Sequence, residues 1–238
     1  INEDQAVAIN TARAALTPAK ALSTFTFSLT DTAAGIFGGD NVIDNATITA
    51  QATAISISTT VNSTQVLALN TNRSGLTGVT FDSITDTTAN LGAQSDAADQ
   101  TAMNTAIAAT SGTITTSGTT TGTAAALNTV DTHATNTVDA QDVTGISGTL
   151  AAVLTATADS TINVDGDFTV DLSTTDQASS LTDLNTVLGR TSSAVTATIG
   201  SGSATTINTA LSNGATDADF ATGDALTSHP DVNMISFT

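Results

Sequence analysis

The chain has 238 residues, of which 39% are hydrophobic, so it carries enough apolar material to bury a core. Its 22 acidic residues face only four lysines and arginines, and the formal net charge of −18 excludes nucleic acid as a partner because phosphate binding needs clustered cations. The same charge disfavours an anionic membrane surface, no apolar run is long enough to predict membrane insertion, and the absence of cysteine excludes disulfides and thiolate metal sites.

The beginning of the chain is predicted to contain a helix followed by β-structure. Acidic residues open the segment 2–22, apolar residues recur there at helical spacing, and Pro18 ends the pattern. Apolar and hydroxyl side chains then alternate over residues 24–30 with a period of two. This alternation predicts a strand with one buried face.

Two further features follow that strand. Residues 35–41 are glycine-rich and predict a loop, and from Ile48 to Ala54 the apolar residues occupy even positions, which predicts another strand. The apolar positions become odd from Ile55 onwards. We therefore expect a β-bulge, or a break between two strands, at this change of parity.

Six copies of an apolar-Asn-Thr tripeptide indicate internal repetition. Two pairs of successive copies lie 24 and 23 residues apart, which is the length of one small supersecondary unit. The asparagines of the six copies are Asn10, Asn70, Asn104, Asn128, Asn185 and Asn208.

The residues around these asparagines predict the content of each unit. A short alanine-containing run opened by a capping residue precedes the asparagine, and an apolar β-former follows about ten residues later, at Val79, Ile114, Val138 and Val195. We therefore predict a short helix, a turn and a strand in each unit, stacked so that the strands form a sheet with the helices along one flank. The unequal intervals between asparagines require extra strands, one of them at residues 162–172.

The predicted fold class is β-rich with short helices. It is either a repeat, solenoid-like β/α architecture or a β-sandwich with helical insertions. Three parts are expected: residues 1–63 form an N-terminal helix plus a β segment, residues 64–213 form irregular helix–strand repeats with inserted strands, and residues 214–238 form a C-terminal loop and a final strand.

Aspartates of the segment 162–172 are the first candidate metal ligands. If this segment is one strand, Asp165, Asp167 and Asp171 share a face, and Ca²⁺, which prefers several oxygen ligands, would relieve their mutual repulsion. The alternatives are a solvated outer face or a hairpin that turns at residues 165–166.

Asp40 and Asp44 are the second candidate ligands. They lie in and just after the glycine-rich loop, which resembles the calcium-binding turns of secreted β-roll proteins. Such turns work as a stacked series, and this chain has one copy, so a plain loop is the competing interpretation. Calcium is the one cofactor that the sequence predicts.

Few residues are suited to catalysis. The two histidines, His133 and His229, lie in polar segments, and serine and aspartate are so common that no particular triad is indicated. A Gly-x-Ser-x-Gly elbow is absent, and without tryptophan or tyrosine the chain lacks the usual platforms for sugars. We therefore predict that the protein is not an enzyme.

The repeats, in forms such as residues 123–129 and 181–186, resemble the Thr/Ala/Asp-rich repeats of very large secreted cell-surface proteins of bacteria, cyanobacteria especially. This resemblance covers roughly residues 64–213. It implies a surface layer, a sheath or an extracellular filament, and it carries over no catalytic residues.

These observations together predict an extracellular or cell-surface structural protein that associates with copies of itself through open strand edges. An adhesin or phage-type fibre module that binds a surface ligand is the first alternative, and a secreted hydrolase is a remote one. Divalent cations are expected as additional partners because they would reduce the repulsion between acidic subunits.

Overall fold

The computed structural model describes residues 1–16, 26–118, 121–158, 161–172, 181–199 and 234–237. These residues form a mixed α/β fold with two parallel β-sheets. Sheet A contains, in spatial order, β1 (Ser28–Asp31), β2 (Ala54–Val61), β3 (Val79–Asp86), β4 (Ile114–Thr116), β6 (Val138–Ala140) and β8 (Ile162–Val164). Sheet B contains β5 (Thr121–Thr123), β7 (Gly145–Gly148), β9 (Thr169–Leu172), β10 (Val195–Ile199) and β11 (Met234–Phe237).

Helices connect the strands. In chain order they are α1 (Glu3–Ala14), α2 (Ala33–Phe37), α3 (Ala46–Gln51), α4 (Ser63–Asn72), α5 (Thr88–Gly92), α6 (Ala97–Ala108), α7 (Ala124–His133), α8 (Leu150–Ala158) and α9 (Leu181–Leu188). The longer helices pack in succession, α4 on α6, α6 on α7, α7 on α8 and α8 on α9. The helices therefore form a layer that follows the order of the strands.

The strands of each sheet succeed one another in chain order, and from β4 to β9 their register is constant. Ile114 pairs with Val138 and Val138 with Ile162, so each step along sheet A takes 24 residues. In sheet B, Gly145 pairs with Thr121 before it and Thr169 after it, again in steps of 24 residues. One circuit of this part of the chain thus adds one strand to both sheets.

The interior is filled by aliphatic side chains and a few phenylalanines. Phe37, Phe81 and Phe168 are fully buried, and a continuous cluster of buried apolar residues runs from Ala6 to Ala197. Neighbouring layers are separated by one strand spacing, about 4.8 Å. Side chains of successive layers therefore pack directly on one another, and small and β-branched residues fit this spacing.

The helix–strand content predicted around the repeated asparagines is confirmed where the structure describes it. Asn70, Asn104, Asn128 and Asn185 lie in α4, α6, α7 and α9, and the four predicted β-formers downstream are the first residues of β3, β4, β6 and β10. The sixth copy, at Asn208, lies outside the described residues.

The predicted N-terminal helix and first strand are also present, with narrower limits. α1 begins after its N-cap Asn2 and ends at Ala14 rather than at Pro18, and β1 covers the second half of the predicted strand. Residues 17–25 lie outside the described residues.

The strand predicted from Ile48 to Ala54 is wrong, because residues 46–51 form the helix α3. Ile48, Thr49 and Ala52 are buried, a spacing that fits one helix face and not a period of two, because Ile48 and Thr49 are adjacent. The change of parity near Ala54 marks the passage from helix to strand, not a bulge.

The loop predicted at residues 35–41 is partly wrong as well. Gly35, Ile36 and Phe37 belong to α2, whose N-cap Thr32 accepts a hydrogen bond from the Gly35 amide, and the turn begins only at Gly38. The burial of Ile36 and Phe37 stabilises this short helix despite its glycine.

The segment 162–172 is neither one strand nor a hairpin. Its two halves are β8 and β9, which belong to different sheets and pair with β6 and β7 respectively. The chain turns at residues 165–167 to pass from one sheet to the other, so the premise that its aspartates share a strand face is wrong.

Candidate functional site

Asp86, the last residue of β3, joins the N-termini of two helices. Its Oδ2 accepts hydrogen bonds from the Ser63 amide at 3.0 Å and the Ser63 hydroxyl at 2.6 Å. Its Oδ1 accepts from the Thr87 amide at 2.7 Å and from Asn90 Nδ2 at 2.8 Å. Burial alone would raise the pKa of Asp86, but the bonds from Ser63, Asn90 and Thr87 outweigh it and hold this pKa below 3.8.

Asp31, the last residue of β1, makes the corresponding contacts at the start of the chain. Its Oδ2 accepts from the Glu3 amide and its Oδ1 from the Thr32 amide, both at 2.8 Å. Glu3 and Ser63 are the first residues of α1 and α4, and each helix opens with an Asn…Gln capping box. The main-chain contacts of the two sites are therefore equivalent, whereas their side chains differ at two positions: Glu3 stands where Ser63 has a hydroxyl, and Gly35 stands where Asn90 has an amide.

Glu3 is buried although it is acidic. It is 4% exposed, and among the described residues its Oε1 has no hydrogen-bond partner. Burial is the main reason that the pKa of Glu3 lies above 4.5; the nearby carboxylates of Asp4, Asp44 and Asp31 raise it further, and a hydrogen bond from Asn45 opposes the rise. Glu3, Asp31 and Asp44 together form an N-terminal carboxyl cluster.

The predicted calcium ligands Asp40 and Asp44 make different contacts. Asp40 Oδ1 accepts from the Val42 amide at 3.1 Å within the turn, while Asp44 lies beside Gly38 and faces the cluster around Glu3. The sequence interpretation did not anticipate this proximity. The likeness of residues 1–5 to residues 61–65, which share an apolar residue, Asn and Gln at the same spacing, indicates the two capping boxes but not the approach of Asp44 to Glu3.

The other predicted ligands are spread over a turn and a strand. Asp165 and Asp167 lie in the turn between the sheets, where Asp165 Oδ1 accepts from the Gly166 amide at 2.8 Å, and Asp171 is exposed on β9. Within the described ranges, no group of three or more His, Cys, Asp or Glu side chains is arranged to hold a metal ion. Calcium binding by this protein stays a prediction.

A shallow groove of about 230 Å³ lies on the outer face of sheet B. Gly145 lies between two threonines of its lining: a Cβ at Gly145 would lie 2.7 Å from Thr169 Oγ1 and 3.0 Å from Thr121 Oγ1. Asp171 and Thr196 lie alongside. The groove is smaller than the roughly 300–1,000 Å³ typical of small-molecule sites, and its polar atoms are mainly hydroxyls.

Of the two histidines, the structure describes His133 and not His229. His133 Nδ1 lies 2.9 Å from the carbonyl oxygen of Thr129, one helical turn earlier in α7. This contact engages the imidazole with its own helix, and it brings no serine or aspartate into the arrangement of a catalytic triad.

The repeated Asn-Thr pair has an architectural role. Three of the six threonines donate to the carbonyl four residues earlier: Thr71 to Leu67, Thr105 to Thr101 and Thr129 to Ala125, at 2.9–3.0 Å. Asn128 instead reaches the next layer, because its Nδ2 donates to the carbonyl of Ala152 in α8 at 3.0 Å.

Replacing Asn128 with alanine is expected to lower the free energy of unfolding by about 1 kcal/mol, since the contact between α7 and α8 is lost. The neighbouring change Thr129→Ala removes a bond within one helix only and is expected to cost less. Urea denaturation of both variants measures the difference. Equal losses would contradict a role for Asn128 in joining the layers.

Within the described residues, no helix combines the length and the apolar character needed to cross a bilayer. Comparison of the chain with protein-family models, with curated proteins and with solved structures gives no match.

Proposed function

We propose that this protein is an extracellular structural unit whose helix–strand layers stack in a solenoid-like manner and which assembles end to end with copies of itself. The observation that carries this proposal is the constant step of 24 residues from β4 to β9, in parts of both sheets, since such a stack has two open ends rather than a closed surface. Within the described ranges, each end presents strand edges that a further layer of the same kind can extend.

One end of sheet A is β8, which among the described residues pairs with β6 alone. The Val138 amide donates to the Thr161 carbonyl at 2.7 Å, so Thr161 and Asn163 direct their main-chain groups towards β6. Main-chain groups alternate in direction along a strand. Those of Ile162 and Val164 therefore point to the open side.

The other end of sheet A is β1. There the Ile1 amino group donates to the Ser28 carbonyl at 3.1 Å, and the Thr30 amide donates to the Ile1 carbonyl at 3.0 Å. These two bonds are those of a parallel strand pair, so Ile1 already pairs with the edge of β1 in the parallel direction. A copy of the chain presenting β8 to β1 would continue sheet A in the same direction, which generates a head-to-tail polymer.

Charge provides a control on this association. With a net charge of −18, copies repel at low ionic strength, and divalent cations or salt would weaken that repulsion. Assembly outside the cell, where calcium is abundant, fits this requirement.

The proposal is tested by closing the β8 edge. Val164→Pro removes an outward-facing amide without breaking the pairing of β8 with β6, because proline is tolerated at sheet edges. We expect the wild-type chain to associate in sedimentation velocity experiments in a concentration-dependent way, and Val164→Pro to weaken association about tenfold or more.

Val164→Ala is the matched control, since it trims the same side chain but keeps the amide. It is expected to associate like the wild type. A wild-type chain that remains monomeric at all concentrations, with and without calcium, would overturn the proposed function.

A further inference from the structure

Within the part of the chain that the structure describes, α1 makes few apolar contacts with the rest of the protein. Its buried residues are Glu3 and Ala6, with Val7 and Ile9 partly buried, whereas α4 buries both Val66 and Leu69. An element with so little buried apolar surface has a small free energy of local opening. The free-energy change on ionising Glu3 is therefore large relative to the free energy that holds α1 in place.

The position of α1 also controls the edge of β1. α1 packs against α2, α3 and β1, and its N-terminus is tied to Asp31 through the Glu3 amide. Ile1, directly before the helix, occupies the outer edge of β1 through its bonds with Ser28 and Thr30. If α1 leaves, these edge groups become available to another strand.

The groups that face Glu3 come from each element packed around it. α1 itself contributes Asp4, β1 contributes Asp31, and the turn before α3 contributes Asp44 and Asn45, while α2 carries no titratable side chain. Three of these four groups are acids.

The remaining charges of these elements lie elsewhere. Asp40 is engaged in its own turn, Arg13 lies in the last turn of α1, and the amino group of Ile1 is bound to Ser28. The surroundings of Glu3 thus disfavour its carboxylate relative to a carboxylate in water.

We propose that Glu3 is a proton-dependent latch: when it is neutral, α1 stays on β1, and when it is ionised, α1 detaches and uncovers the β1 edge for the β8 edge of a second copy. The final step, docking of the second copy, rests on the proposed function.

The direction of the pH dependence follows from burial. Because the pKa of Glu3 in the folded protein lies above 4.5, the docked state of α1 is favoured below that pH and loses this contribution as the pH rises through the folded value. An exposed helix without a buried acid would show no such loss.

Hydrogen exchange of the α1 amides, measured by mass spectrometry from about pH 4 to about pH 8 and corrected for the intrinsic rate, tests the latch. We expect protection of the wild-type helix to fall at least about threefold over this range, since a change of one pKa unit corresponds to a factor of ten. Glu3→Gln, which cannot ionise, and Glu3→Ser, which copies Ser63, are expected to keep constant protection.

Asp82→Asn is the matched control, because Asp82 is an exposed acid on β3 that is not among the groups facing Glu3. It is expected to keep the pH dependence of the wild type. Constant protection in the wild type, or an unchanged pH dependence in Glu3→Gln, would overturn the latch. A further outcome would also overturn the latch: millimolar calcium restores the protection of the wild-type helix at high pH and has no effect on Glu3→Gln. That result would indicate a bound cation at Glu3.

Sedimentation velocity at high pH measures the docking step separately, as self-association. The wild type is expected to associate more strongly there than Glu3→Gln. Equal association of the two proteins would overturn the coupling between latch and edge. A pH-dependent α1 in a chain that never associates would leave the latch standing and overturn the proposed function.

Discussion

Gly92→Ala is expected to destabilise the protein by about 3 kcal/mol or more, because the added methyl group meets backbone rather than a movable side chain. A Cβ at Gly92, the last residue of α5, would lie 2.1 Å from the carbonyl oxygen of Ala126 and 2.7 Å from its carbonyl carbon in α7. This clash is relieved only if α5 and α7 move apart. The contact between these two helices is one of the places where consecutive layers touch.

Chemical denaturation of Gly92→Ala measures the loss. Gly39→Ala is the matched control, since a Cβ at Gly39 meets nothing within 4 Å, and its free energy of unfolding is expected to stay within about 0.5 kcal/mol of the wild type. Similar stabilities for the two variants would contradict the close packing of α5 on α7.

Asp86→Ala is expected to lower the free energy of unfolding by about 2–4 kcal/mol. The substitution removes four hydrogen bonds at once and leaves the first amide of α4 and the N-cap amide of α5 without their acceptor. Asp82→Ala removes the same charge from an exposed position on the same strand, and we expect a change of no more than about 0.5 kcal/mol.

The contribution of Asp86 is also expected to depend on pH. Since its folded pKa is held below 3.8, the stabilisation is fully present above that value and is lost as the pH falls through the folded pKa. The difference in stability between wild type and Asp86→Ala should therefore shrink in acid. A difference that stays constant, or grows, as the solution is acidified would contradict the hydrogen-bonded carboxylate.

The helix–strand units could be predicted from the sequence because their signals are local. An asparagine in a short capped helix and a β-former about ten residues later fall within one unit, and helix α7 with strand β6 appears as expected. The same logic failed at α3, whose six residues are too few to distinguish a helical spacing from a period of two.

The candidate site was less predictable because its parts are distant in sequence. Glu3 meets Asp31 and Asp44 only after α1 packs on β1, and neither composition nor spacing indicates that contact. The split of residues 162–172 between two sheets is likewise a tertiary effect: alternation along the segment is nearly unbroken, and the turn at Asp165 and Gly166 alone marks the change of sheet.

Electron microscopy of the assembled protein tests the central claim, that stacked layers continue from one copy into the next. We expect filaments whose averaged images give a strong axial repeat of about 4.8 Å, the separation of neighbouring strands, because strands in both sheets would lie across the filament axis. Dispersed particles at all calcium concentrations, or filaments that lack this axial repeat, would contradict it.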